Sequence, residues 1–235
     1  MHARTMTILL SAAFAGTALA QSNVIPTAKS SWNENAGWMN WRDAGTPTGL
    51  QGASADLNAG FMTGFVWGEN TGWVNLGNDA GPHGNTTGLD FGVNIDACDS
   101  FRLSGFAWSE NAGWINFSGG AMATPPNPAR IEVAEARLRG YAWSENLGWV
   151  SLDAPADGKY VALFIPGLVC DCVDFNRDGL FPDTDDITEF LTVFGGGPCS
   201  NDPNCGDIDF NNDGLFPDTQ DIQSLLSVFA GGACL

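Results

Sequence analysis

The chain has 235 residues, with 27 acidic against 9 basic side chains and a formal net charge of −18. That balance argues against nucleic acid and anionic lipid as partners, since both attract Lys and Arg. The length allows one or two units of ordinary domain size, and after the N-terminus no apolar run approaches the roughly 20 residues of a membrane span.

The first twenty residues join a basic MHAR, the short apolar run TMTILLSAAFAG and the small-x-small Ala18-Leu19-Ala20. This is the pattern of a secretory signal peptide cut before Gln21, so the mature chain is expected to be secreted or on the cell surface. Because residue 21 is not Cys, no lipid anchor is expected there.

Residues 21–166 carry one signature four times: WNENAGW (32–38), WGENTGW (67–73), WSENAGW (108–114) and WSENLGW (143–149), holding eight of the nine Trp. FRLSGFAW (101–108) leads in and WINF (114–117) leads out; RLRGYAW (137–143) and WVSL (149–152) match them. Apolar and polar residues alternate here with many aromatic and β-branched side chains, which predicts strands. The polar ENxG between the Trp suits a short hairpin loop ending on a Gly with positive φ. The two Trp then face each other across the hairpin. LDFGVNI (89–95), ARIEV (129–133) and the run KYVALFI near 160–166 predict a further strand per repeat. The array starts with a hairpin and ends with a strand, so its ends are expected to meet in a closed propeller-like or barrel-like ring. An open β array is the alternative.

Near residues 166–172 the composition changes from Trp-rich to Asp-rich, which places a boundary there. The expected organisation is multi-domain: a signal peptide (1–20), an all-β repeat domain (21–166) and a small α domain (167–235). Residues 170–235 hold 13 acids and a single base, Arg177. They contain DFNRDGLFPDTDDI (174–187) and DFNNDGLFPDTQDI (209–222). A hard cation such as Ca2+ takes six to eight oxygens, which a loop supplies from acids at alternate positions around a sharply turning Gly. Asp174, Asn176 and Asp178 fall at positions one, three and five before Gly179; Asp209, Asn211 and Asp213 do so before Gly214. Leu180 and Leu215 would offer backbone carbonyls at seven. Position twelve is Asp185 in one loop and Gln220 in the other, whereas thirteen is acidic in both. Asp186 and Asp221 are therefore assigned as the closing ligands, with Asp183 and Asp218 as further ones, direct or through water. An Ile follows each closing acid and starts a helix: Ile187, Phe190, Leu191 and Phe194, then Ile222, Leu225, Leu226 and Phe229, repeat at i, i+3, i+4 and i+7.

Two tandem DxNxDG loops, each followed by an amphipathic helix, at the C-terminal end of an exported chain resemble a dockerin. The flanking cysteines and the GGAC ending resemble its GC-type form. The resemblance covers about residues 170–235. It implies calcium-dependent folding and attachment to a cohesin-like receptor on a scaffold or cell surface. The Pro182-Asp183-Thr184 and Pro217-Asp218-Thr219 insertions depart from the family, whose loops usually close at position twelve.

Six cysteines, Cys98, Cys170, Cys172, Cys199, Cys205 and Cys234, suit an oxidising compartment. Six cysteines allow 15 connectivities; pairing within the two units (170–199, 205–234) is one option and a terminal clasp to Cys234 with 199–205 another, and a Cys98–Cys172 pair would tie the two regions together.

For the β repeats, three roles compete. Large aromatics that recur in repeat folds are ordinarily packing residues, so the Trp are expected to form the core of each repeat; if exposed, they would instead stack on sugar rings. A glycosidase needs two carboxylates in different environments, but Glu34, Glu69, Glu110 and Glu145 are equivalent to one another. A hydrolase site around His83 has no supporting motif, and His83 is expected to be a solvated loop residue. The reading is of a non-catalytic β-repeat cargo on a docking tail. The alternative is a polysaccharide-degrading or carbohydrate-binding protein of a cellulosome-like assembly.

Overall fold

The structure, a computed structural model, describes residues 21–77, 81–154, 158–165, 167, 169–180, 183–201, 205–215, 217–232 and 234–235. The expected signal peptide and Pro182 lie outside the described residues.

Among these residues the chain is mostly antiparallel β-sheet with two helices. The strands are β1 (Val24–Asn33), β2 (Gly37–Asn40), β3 (Ser54–Asp56), β4 (Phe61–Thr63), β5 (Phe65–Gly68), β6 (Gly72–Asn75), β7 (Val93–Asp96) and β8 (Arg102–Ser109). They continue with β9 (Gly113–Asn116), β10 (Arg130–Glu132), β11 (Arg137–Arg139), β12 (Tyr141–Ser144), β13 (Gly148–Ser151), β14 (Asp153–Ala154) and β15 (Lys159–Leu163). The helices are α1 (Thr184–Phe194) and α2 (Thr219–Phe229).

Each Trp signature folds as the expected hairpin: β1–β2, β5–β6, β8–β9 and β12–β13. The two Trp of each copy pair directly across the strands, with ring centroids 4.6 Å apart in all four. The turn glycines, Gly37, Gly72, Gly113 and Gly148, have φ between +68° and +83°, a conformation costly for any residue with a Cβ.

Neighbouring hairpins pair through β2–β5, β6–β8 and β9–β12, and β13 returns to β1. The eight strands thus close into a barrel-like ring, which removes the exposed edges an open array would leave. A second tier runs β3–β4–β7–β8–β10–β11–β15–β1. The long strands β1 and β8 belong to both tiers. In this tier Asn23 bridges the remaining gap to β3: its Nδ2 donates to Ala55 O (2.8 Å) and its Oδ1 accepts from Ala55 N (3.0 Å). The chain passes between tiers at Gly64, Gly105 and Gly140. All three have positive φ, and a Cβ at each would lie 2.1–2.2 Å from a carbonyl oxygen.

The ring's interior is small and aliphatic: Met39, Val66, Val74, Ala107, Ile115, Ala142 and Val150 are all buried. Because strand side chains alternate between faces, the Trp beside them point outward. Trp38, Trp67, Trp73 and Trp114 are 40–49% exposed. This corrects the expectation that the paired Trp form the core. The ninth, Trp41, is the buried one, with its indole N–H donating to Ser31 Oγ at 2.8 Å. The strand expected at 89–95 is confined to Val93–Asp96, because Asp90 draws residues 86–90 into a loop.

Hydrophobic packing divides near the expected boundary. Val169 packs with the barrel, whereas Cys170, Val173, Phe175, Phe190, Phe210 and Leu225 form a separate small cluster with α1 and α2. The helices begin three residues before the Ile positions expected to start them. Asp183 and Asp218 act as N-caps, accepting from the Asp185 and Gln220 amides, and complete capping boxes with Asp186 and Asp221. The disulfides are Cys98–Cys172, Cys170–Cys234 and Cys199–Cys205. Pairing within the two units is therefore overturned in favour of the terminal clasp, and the set fits an oxidising, extracellular type of compartment. No helix among the described residues is long and apolar enough to cross a membrane.

Candidate functional site

The two acidic loops are built alike, atom for atom. In the first, Asp174 accepts from the amides of Asp178 and Gly179, both at 3.1 Å. Asn176 Oδ1 accepts from Asp178 N (3.0 Å), and Asp178 Oδ1 from Leu180 N (2.8 Å). In the second, Asp209 accepts from Asp213 and Gly214, both at 3.1 Å, Asn211 from Asp213 (3.2 Å) and Asp213 from Leu215 (2.7 Å). These bonds fold each loop back on itself, since each side-chain oxygen is pinned by an amide further along the loop. Arg177 and Asn212, at the fourth position, adopt φ of +54° and +55°. That left-handed residue lets the chain wrap, and Asn tolerates it best after Gly.

Asp186 and Asp221 are the acids that join each helix to its loop. Both are wholly buried. One oxygen of Asp186 accepts from Asn176 N (3.4 Å) and the other from Asp183 N (3.0 Å); Asp221 does the same with Asn211 N and Asp218 N. The position-thirteen acids thus reach back to position three. Asp185, at twelve, is exposed, as is Gln220. Asp183 and Asp218 each spend one oxygen on the helix cap.

Electrostatically these loops are uncompensated. No ion pair among the described residues involves any of their acids. Burial raises the Asp186 carboxyl above its usual range against the backbone hydrogen bonds that lower it, and the charges of Asp174 and Asp183 push the same way. Asp209 is raised likewise by burial, with Asp221 and Asp213 adding repulsion. Mutually repelling oxygen donors without an ion-paired Lys or Arg are the donor type that a hard divalent ion accepts. The loop carboxylates stand wider apart than a closed coordination shell. Among the described residues only Glu189, Cys199 and Cys205 place three ligating side chains within 4.8 Å of one another. Those cysteines are joined in a disulfide, which leaves no thiolate there for a metal.

Asp171, beside the second loop, is pushed up to about 6, first by burial; the Asn212 hydrogen bond opposes this and the Asp207 charge adds to it. A raised carboxyl pKa means the folded state holds its proton more tightly. Stability is therefore unaffected below about pH 4 and falls as pH rises through about 6. Asp171→Asn keeps an acceptor for Asn212 and is expected to stabilise the tail by about 1–2 kcal/mol at pH 7.5 and hardly at all at pH 4. Urea unfolding at fixed millimolar calcium checks this; an equal effect at both pH values sinks it.

The barrel places its own chemistry differently. His83 is 7% exposed, contacts Phe61 edge-on and lies 3.4 Å from Met62 O, so it is a core residue and the expectation of a solvated loop is corrected. Glu34, Glu69, Glu110 and Glu145 are all exposed at the hairpin tips. Their neighbours have a structural job that sequence reading missed: Asn35, Asn70, Asn111 and Asn146 each donate to a carbonyl of the adjacent hairpin, Leu147, Ala36, Thr71 and Ala112 respectively. An Asn repeated at every tip was the available signal. The tail touches the barrel through Cys98–Cys172 and through the Arg177 guanidinium, which donates to Cys98 O.

No protein-family model matches this chain, and neither does any curated protein or solved structure at a significant level.

Proposed function

We propose that residues 167–235 form a calcium-binding, dockerin-like docking module that attaches an exported β-repeat protein to a cohesin-like receptor or surface scaffold. The observation that carries this reading is the duplication of one loop geometry around a buried, uncompensated acid. Asp174, Asn176, Asp178 and Asp186 would hold one Ca2+, and Asp209, Asn211, Asp213 and Asp221 the other, with the carbonyls of Leu180 and Leu215 as further oxygen donors. The ion supplies positive charge to each acidic loop. The protein's part is to present pinned oxygens and to couple each loop to a helix through the closing acid. Leu191 and Leu226 occupy equivalent positions on α1 and α2 and are 47% and 46% exposed. Large apolar side chains left open on a small module are what a protein receptor covers. The β-repeat barrel is read as non-catalytic cargo, since its glutamates are equivalent and its histidine is buried.

Calorimetric titration of the full chain with calcium is expected to show two equivalents bound. Asp186→Ala should remove one of them, whereas Asp185→Ala should leave both. Retention of both sites in Asp186→Ala, with loss in Asp185→Ala, would return closure to position twelve. No uptake at millimolar calcium ends the proposal.

A further inference from the structure

We infer that the outer groove between the third and fourth Trp hairpins binds a neutral polysaccharide chain. It has a volume of about 850 Å³, and Trp114, Trp143, Phe91, Phe106, Asn116 and Glu145 are among its lining residues. Trp114 and Trp143 sit on the adjacent strands β9 and β12, and Trp114 is 43% exposed. Phe91 and Phe106 stand nearly perpendicular to its indole at 5.2 and 6.1 Å and brace it. Braced, solvent-open aromatic rings beside amide and carboxylate groups match the two chemistries of a sugar. Its C–H faces stack on the rings, and its hydroxyls exchange hydrogen bonds with the polar groups.

Charge selects among glycans. Among the described residues no Lys or Arg lines the groove, Glu145 does, and the whole chain carries −18. An anionic polysaccharide is repelled, and a neutral one is not. One rim is ordered in advance: Asp90 accepts from the backbone amides and the hydroxyls of both Thr86 and Thr87, so the loop costs little entropy on binding. This loop belongs to the longest interval between Trp signatures.

The groove also recurs. Between the first and second hairpins a smaller one, about 460 Å³, is lined by Trp38, Trp67, Asn40 and Glu69, the equivalents of Trp114, Trp143, Asn116 and Glu145. A ligand with a repeating unit suits a site repeated around a ring. The inference rests on the barrel alone, so calcium uptake by the tail and glycan binding can fail separately.

The test is native affinity electrophoresis of the full chain in gels containing hydroxyethylcellulose, xyloglucan, galactomannan or mixed-linkage β-glucan, with polygalacturonate as the anionic arm. At least one neutral polymer should retard the chain, and polygalacturonate should not. Trp114→Ala should weaken the retardation at least about tenfold, while Phe164→Ala, at an exposed aromatic outside both grooves, should leave it. Gly88→Arg adds bulk at the groove's rim from a residue outside the hairpins, where a Cβ meets nothing within 4 Å, and should weaken binding even if Trp114→Ala does not fold. Retardation by none of the four neutral polymers overturns the inference. So does equal loss in Phe164→Ala, or a self-association in sedimentation that Trp114→Ala abolishes in place of glycan binding.

Discussion

Chelating calcium is expected to unfold the helical tail while the Trp barrel stays folded. An ion that binds only the folded form stabilises it by about 2.7 kcal/mol at a hundred times its Kd. Two sites therefore contribute about 5 kcal/mol, comparable to the whole stability of a small domain. The tail's buried core is small: among the described residues it holds one Cys, one Val, three Phe and one Leu, and its loop acids repel one another. The chain provides two separable signals. All nine Trp lie between residues 32 and 149, and both α-helices lie beyond 183. Helical circular dichroism should thus melt at lower temperature with chelator present, while Trp fluorescence keeps its transition. The Cys170–Cys234 clasp still limits how far the stripped tail expands. Identical melting of both signals, with and without chelator, contradicts the proposal.

The second large effect concerns ring closure. Asn33→Ala is expected to destabilise the barrel by about 3–5 kcal/mol, from several buried groups each losing a partner worth about 1–3 kcal/mol. Asn33 is wholly buried. Its Nδ2 donates to Leu147 O (3.0 Å) and Trp149 O (2.7 Å) of the last hairpin, while its Oδ1 accepts from Asn35 N (2.9 Å) and Ala36 N (2.7 Å). It therefore ties the first hairpin to the fourth and braces its own turn. Ser109 and Ser144 stand at the equivalent positions of later hairpins, where each hydroxyl bonds one neighbouring carbonyl. Asn33→Ser should accordingly recover part of the loss. Urea unfolding followed by Trp fluorescence measures both; a cost below about 1 kcal/mol for Asn33→Ala would show that the backbone pairing of β1 with β13 closes the ring unaided.

Much of the architecture was legible locally. The W-x-E-N-x-G-W spacing specifies a hairpin, because a polar turn ending on Gly and flanked by alternating residues has few other solutions. The duplicated DxNxDG loops and the amphipathic period after each were likewise legible as two loop–helix units, and the structure adds that Asp186 and Asp221 reach back to the Asn176 and Asn211 amides. The helix starts are not legible from the apolar period, which begins at Ile187 and Ile222, because the first turn is set by the caps Asp183 and Asp218. The same oxygen chemistry serves a cap or a ligand, and only backbone geometry separates them.

The amino-acid order by itself determined the repeating hairpins, the duplicated acidic loops and an even set of six cysteines, since each follows from contacts between residues close along the chain. Tertiary structure decided which face each strand turns inward, that the first strand meets the thirteenth, that His83 is buried, and which cysteines pair. Those outcomes depend on distant residues arriving at the same place. A period of two tells which side chains share a face but not which face is covered. Here the closing ring is too narrow to hold eight indoles, so Ala, Val, Ile and Met fill it and the Trp are left on the outside.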